Sequence, residues 1–244
     1  MEAQSYMRLI YRPLLGLIIL MTPVLATAQS AFVDEEYQVE NVFGVKNATN
    51  GGFISGIFFR HSRMLQKDNL MHLGIEIANT KHPRETKETT FTGSSFVFGK
   101  SNYLISIRPH YGREKIFFKK APQQGVRISG MISAGPSIGL EAPYFVDLGR
   151  TAEQYDPNNP NHTRNQILGN AGPFRGLFRS NVVLGGFAKV ALTFETNSTK
   201  NKVFGIETGF MIETFTREIE IIPLATNQAT FTSAYLAVYF GKRK

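Results

Sequence analysis

The stretch "NLMHLGIEIANT", residues 69–80, carries two interleaved rows. Met71, Leu73, Ile75 and Ile77 are aliphatic, while His72, Gly74, Glu76 and Ala78 between them are small or charged. Successive side chains of a strand point to opposite faces, so each row meets a different environment. A soluble sheet turns the charged row to water and the aliphatic row to a core. A closed barrel set in lipid reverses this, with the aliphatic row outside and the charged row in a crowded lumen.

The same alternation recurs in eight segments, at residues 37–46, 52–63, 69–79, 102–113, 125–140, 181–196, 202–216 and 229–241. Most exceed the usual soluble strand of about 5–6 residues and match the roughly 9–11 that a tilted membrane strand needs. Phe204, Ile206, Phe210 and Ile212 stand against Gly205, Glu207, Gly209 and Glu213. Ile105, Ile107 and Tyr111 stand against Ser106, Arg108 and His110, and Ile128 and Ile132 against Arg127, Ser129 and Ser133. Glu40 and Lys46 share a row with Gly44, Arg60 with Gly56, and Lys189 lies on the small-residue row of its segment. Glycine weakens a strand and is not needed on a wet face. A narrow eight-stranded barrel does need small residues, because its interior just holds side chains. Unpaired buried charge is costly. The expectation is therefore a lumen network in which Glu40, Glu76, Glu207 and Glu213 neutralise Lys46, Arg60, Arg108, Arg127 and Lys189, with His72 and His110 among them. Tyr235, Tyr239 and Phe240 of the last segment are assigned to the lipid-facing row and its interface girdle.

Connections sort by parity. The second, fourth and sixth, "RMLQKDN", "EKIFFKKAPQQG" and "TNSTKN", read as short turns. The third, fifth and seventh, at 80–101, 141–180 and 217–228, read as outer loops, while the first, "NATNG", is short. Short turns at one end and longer loops at the other are the habit of outer-membrane barrels. At the N-terminus, Arg8 and Arg12 precede the apolar run Leu14–Leu25 and the small-x-small site Ala26-Thr27-Ala28. This is the grammar of a secretory signal peptide over 1–28, cleaved near Ala28, with the barrel domain over 29–244. No later run of about 18 apolar residues suggests a membrane helix. The chain has no cysteine, which excludes a disulfide scaffold, a thiolate metal site and a lipoprotein anchor. Its net charge of +8 is scattered rather than clustered on one face, which argues against nucleic acid.

Some patterns imitate chemistry. His72 and Glu76 would meet on a helix, but on a strand they lie about 13 Å apart, too far to share a metal. "GPSIG", residues 135–139, matches the G-x-S-x-G string, yet a nucleophile elbow needs strand, sharp turn and helix, and here the chain stays extended. Ser137 is therefore read as part of a strand rim where glycines let the chain bend into the loop. His82 and His162 lie in loops, giving no convincing triad with it. The second half of the long loop, "QILGNAGPFRGLF", is apolar and is expected to fold over the barrel mouth or touch lipid headgroups. No cofactor is implied.

With its leader, eight alternating segments and aromatic last strand, the chain resembles the small eight-stranded outer-membrane β-barrels of Gram-negative bacteria. More narrowly, "NTKHPRE" (79–85), "FVFGKSN" (96–102), "KAPQQGV" (120–126) and "AGPSIGLEAPYF" (134–145) resemble phrases of a Bacteroidota outer-membrane barrel family. The resemblance implies an all-β, eight-stranded antiparallel up-and-down transmembrane barrel, and it assigns no catalytic residue. The ending departs from the wider class, because "YF" is followed by "GKRK". Three readings stand. The first is a structural or interaction barrel with a charge-filled, non-conducting lumen. Its partners would be outer-membrane lipid and another envelope protein or complex. The second is a small lipid-modifying enzyme or narrow channel on the same fold. The third is a soluble periplasmic lipid-binding barrel.

Overall fold

The computed structural model describes residues 38–119, 125–172, 174–196 and 201–244. The expected leader, 1–28, lies outside them. In chain order the strands are β1 (Val39–Ala48), β2 (Gly52–Gln66), β3 (Asn69–Thr80), β4 (Lys87–Thr89), β5 (Ser95–Val97), β6 (Asn102–Phe118), β7 (Arg127–Pro143), β8 (Phe145–Asp147), β9 (Ala152–Gln154), β10 (Gly169–Asn170), β11 (Asn181–Glu195), β12 (Lys202–Ile219) and β13 (Gln228–Arg243). Eight are long and form a closed barrel in the order β1-β13-β12-β11-β7-β6-β3-β2, with β1 also pairing β2. Every pairing in it is antiparallel, each long strand lying beside the next long strand in sequence. Among the described residues no helix is long and apolar enough to cross a membrane.

The eight long strands fall on the eight alternating segments, and several run further. β2 continues to Gln66, so "RMLQKDN" is mostly strand and the turn is Lys67-Asp68. Asp68 takes the left-handed backbone (φ 67°), which Asp tolerates better than most residues. β7 runs on to Pro143, which corrects the reading of "GPSIG" as a rim. Pro136 faces outward, as its parity implies, but within the strand, and Ser137 is fully buried in the barrel. Pro109 lies nearby on β6, and the β6–β7 ladder is interrupted between Ile107↔Ile138 and Tyr111↔Ala134. Neither proline has an N–H to give, so the two fall where no ladder bond is made. Gly135 is required there, since a Cβ would collide with the carbonyl oxygen of Pro109.

The start of β1, the end of β13 and the short connections 67–68, 119–126 and 196–201 share one end of the barrel, here called the turn end. The connections 49–51, 81–101, 144–180 and 220–227 share the other, the loop end. There the hairpin β4–β5 and the three-stranded sheet β10-β8-β9 form a cap. Its core is Phe96, Tyr144, Val146, Tyr155 and Ile167. Only part of the apolar loop half joins it. Ile167 is buried, but Phe174 and Phe178 are 78% and 98% exposed.

The barrel's outward row is apolar and open. Phe43, Leu73, Ile75, Ile77, Ile132, Phe210, Leu236 and Phe240 are all exposed. Across four strands Phe204, Phe240, Phe43 and Phe59 form one register rung. Phe43 and Phe59 meet at 4.7 Å between ring centroids. The expectation for the last strand is corrected in one respect. Phe240 faces out, but Tyr235 and Tyr239 are buried inside. Position parity dictates this, because 235 and 239 share a face that 240 cannot. Each phenol ring also fills lumen space beside a charged group.

Candidate functional site

The most unusual chemistry of the chain lies inside its wall. Six cations, Lys46, Arg60, Arg108, Arg127, Lys189 and Arg243, are buried there with six carboxylates, Glu40, Glu76, Glu114, Glu195, Glu207 and Glu213. Among the described residues the lumen charges therefore cancel. Each residue sits at an alternate position of its strand, which directs it inward. Inward glycines make room for rings: a Cβ on Gly112 would collide with His72, and one on Gly205 with Tyr239.

The charges form three tiers. Toward the loop end, Glu213 accepts from Arg108 through Nε (2.8 Å) and Nη2 (2.6 Å) in a bidentate pair. Ser106 (3.3 Å) and Ser137 also donate to it. In the middle, Arg108 reaches Glu76 Oε1 with Nη1 at 2.6 Å, Lys46 donates to the same oxygen, and Lys189 stands 3.6 Å from Oε2. Glu207 holds Arg60 at 2.7 Å, Lys189 at 3.6 Å and the Tyr235 hydroxyl at 2.7 Å. Arg60 also lies 5.3 Å from the Tyr239 ring centroid. Toward the turn end, Arg243 contacts Glu40 (2.9 Å) and Glu195 (2.5 Å), and Arg127 reaches Glu195 at 2.9 Å and Glu40 at 3.6 Å. Glu114 accepts from Ser129 and lies 3.9 Å from Arg127.

All eleven residues expected in the lumen lie inside, and the register joins nine of them into these tiers. His72 instead meets the Ser133 hydroxyl at 2.8 Å, and His110 meets the Arg108 carbonyl at 3.1 Å. Their rings pack edge to face at 6.0 Å. His72 and Glu76 have different partners. Sequence reasoning missed Glu114, Glu195 and Arg243, although each continues an inward row: Glu114 follows Gly112, Glu195 follows Thr193, and Arg243 follows Gly241. Among the described residues no group of three His, Asp or Glu could hold a metal ion.

Ser137, His82 and His162 do not come together. The Ser137 hydroxyl is bound to Glu213 in the lumen. His82 meets the Thr226 carbonyl at 3.1 Å, and His162 accepts the Asp156 N–H at 2.9 Å, each fastening a loop. At the loop end, Glu141 closes the lumen side of the rim, accepting from Arg217 at 2.6 Å and the Glu220 N–H at 3.0 Å. Lys100 is buried against Glu85 at 2.7 Å, with its ammonium 4.4 Å from the Tyr103 ring centroid. Burial lowers the Lys100 pKa from the ordinary lysine value, although Glu85 opposes this. Burial raises that of Tyr144, whose hydroxyl accepts the Val97 N–H at 2.9 Å.

Fold and interior together define a class: a closed eight-stranded antiparallel barrel with a charge-neutral, side-chain-filled lumen. No family model matches the chain, and no curated protein matches it. Similar solved structures include Neisserial surface protein A (NspA), at 12% identity, a TM-score of 0.38, and coverage of 85% of this chain and 97% of that one. Ail, the attachment invasion locus protein of Yersinia pestis, is 9% identical with a TM-score of 0.37, covering 86% of this chain and 99% of that one. The same protein in complex with the heparin analogue sucrose octasulfate gives 8%, 0.35, 85% and 97%. At these scores the likeness adds nothing to what the closed ladder itself displays.

Proposed function

We propose that this chain is an outer-membrane barrel of structural or interaction type, exported by its leader, with a non-conducting lumen and partners met through its loops. The observation that carries the reading is the inversion of the wall: a charge-neutral network inside and a predominantly apolar exposed row outside. Water would penalise that exterior, because monomeric soluble proteins rarely expose contiguous apolar patches beyond a few hundred Å². Lipid favours it, and a closed barrel leaves no backbone group unpaired in hydrocarbon. The alternation of turn end and loop end supports an orientation with the turns in the periplasm and the cap outside. Kinship with a Bacteroidota barrel family, carried by the phrases at 79–85 and 134–145, belongs to the same proposal.

The network supports the non-conducting reading. An eight-stranded barrel has an interior just wide enough for side chains, and here arginines span it from wall to wall. The chain is expected in the sarkosyl-insoluble fraction, with a gel mobility that shifts on heating. Recovery in the soluble periplasmic fraction would favour the lipid-carrier reading instead. Stable single-channel steps in a planar bilayer would refute a sealed lumen.

A further inference from the structure

The surplus charge of the molecule is not evenly spread. Among the described residues the lumen is neutral; outside it, the loop end holds nine cations and eight carboxylates, and the turn end holds eight cations against one acid, Asp68. Asp68 is itself paired with Lys119 at 3.0 Å. Asp34, Glu35, Glu36, Lys120 and Lys200 lie outside the described residues and outside this count. Arg63, Arg113, Lys115, Lys202 and Lys242 are exposed at outward positions of the wall. Lys202 and Lys242 are register partners, one outward step beyond the aromatic rung of Phe204 and Phe240. Aromatic residues followed by cations are the order in which a membrane passes from hydrocarbon to headgroup.

One part of this collar is hollowed. A groove of about 940 Å³ crosses the outer face of β2, β3, β6, β7 and β11. Arg113 and Lys115 line it together with Phe117, Gly130, Ile132 and Val190, while Glu114 between the two cations turns its carboxylate inward to Ser129. Gly130 helps to make it, because the Phe117 ring lies where a side chain would otherwise stand, 2.6 Å from an ideal Cβ. Ile132 and Val190 also line a second hollow, about 550 Å³, which continues over Ala188, Phe210 and Ala234. The two together form a track that begins at a pair of cations and runs over apolar side chains.

We propose that this track is a binding site for one anionic phospholipid, its phosphate held by Arg113 and Lys115 and an acyl chain lying past Ile132 and Val190 over Ala188. A cationic head and an apolar floor suit a phosphate-bearing amphiphile, and because the other described carboxylates near this end, Glu40, Glu114 and Glu195, are buried in the lumen, Asp68 is the one described acid outside it here, which favours a lipid with net negative charge. The inference rests on the membrane reading above, with the turn end in the inner leaflet.

The test uses the full mature chain folded into phosphatidylcholine vesicles containing a trace of spin-labelled phosphatidylglycerol or spin-labelled phosphatidylcholine. The motionally restricted fraction of each label gives their relative association. Phosphatidylglycerol is expected to be held several-fold more strongly, and added salt should weaken the preference. Arg113→Gln with Lys115→Gln should reduce it on the order of fivefold per cation removed. Arg175→Gln at the loop end should leave it unchanged. Equal association of the two labels with the unaltered chain, or a preference retained in the double variant, would overturn the proposal. So would displacement of the lipid label by inorganic phosphate at matched ionic strength, which would reveal a plain anion site. If the double variant fails to fold, the label comparison and the salt series on the unaltered chain still decide. If no label of either kind is restricted and the chain does not float with vesicles, the membrane reading itself is what has failed.

Discussion

Between its rims the barrel buries Lys46, Arg108 and Glu76 and exposes Leu73 and Ile75. Its cap, built from the same chain, buries Phe96, Tyr144, Val146 and Ile167 and exposes Lys87 and Arg164. The cap's core has the polarity of a water-soluble domain, although Phe91, Phe174 and Phe178 stand exposed at this end, and the wall has the reverse. On the membrane reading proposed above, the difference is one of medium, water around the cap and lipid around the wall. In the cap, apolar burial supplies the driving force and the polar surface is free to vary. In the wall the exterior is apolar, so burying more hydrocarbon gains little, and the interior is fixed by ion pairs and hydrogen bonds that must all find partners.

The sharpest way to break this contrast is to remove one carboxylate from the middle tier. Glu76→Gln leaves Lys46, Arg108 and Lys189 facing one another without their shared anion. Losing one partner of a buried ionic network costs about 3–5 kcal/mol, which urea unfolding of the refolded barrel would read. A solvent-exposed cap pair offers the control: Arg164 is 63% exposed, so breaking its contact with Glu88 by Glu88→Gln should cost under about 1 kcal/mol. If the two variants lose equal stability, the lumen network is not what holds the wall.

Next in size is the outer face. Ile75→Arg should destabilise a lipid-embedded barrel by about 2–4 kcal/mol near the midplane. A wall standing in water would barely register it, because exposed surface substitutions usually stay within about 0.5 kcal/mol. The same measurement in lipid vesicles therefore separates the readings. A smaller effect is expected in the cap. Tyr144→Phe removes the acceptor of the Val97 N–H, worth about 1 kcal/mol, and should speed protease cleavage within 81–101 while the heat-modifiable barrel persists. Burial holds the Tyr144 phenol neutral. Above the ordinary phenol pKa of about 10 the opened cap binds fewer protons than the closed one, so cleavage should quicken as pH rises past that value. Smallest of all is Phe178→Arg at a fully open loop position, expected within about 0.5 kcal/mol by any stability measure.

Strand number and facing were legible because alternation is a local property. Glu76 and Arg108 announce their side of the wall simply by sharing parity with glycine or serine neighbours. Pairing was not legible. That Arg108 joins Glu76 to Glu213, or that Arg127 and Arg243 converge on Glu195, depends on the stagger between strands far apart in sequence. Tyr235 and Tyr239 were misplaced because aromatic character outweighed parity, whereas parity decides. The cap strands left no trace because three residues such as Lys87–Thr89 are too few to show a period. The buried half of the long loop is chosen by contacts with Phe96 and Tyr155 that no local pattern encodes.

The seam between β1 and β13 has a consequence in time. Gln38 and Val39 donate to the Lys244 carbonyl, Lys244 donates back to Val39, and Glu40 bonds Arg243 across 203 positions of chain. A chain emerging in order can stack β1 to β12 as an open sheet, but it carries two raw edges until β13 arrives. Until then Glu40 and Glu195 also lack Arg243, one of the two guanidiniums that bridge them. Closure is therefore the most non-local event available to the chain, and such contacts form slowly. The interval before it is when the polypeptide most needs an escort, and when a strand from another molecule could take the vacant place.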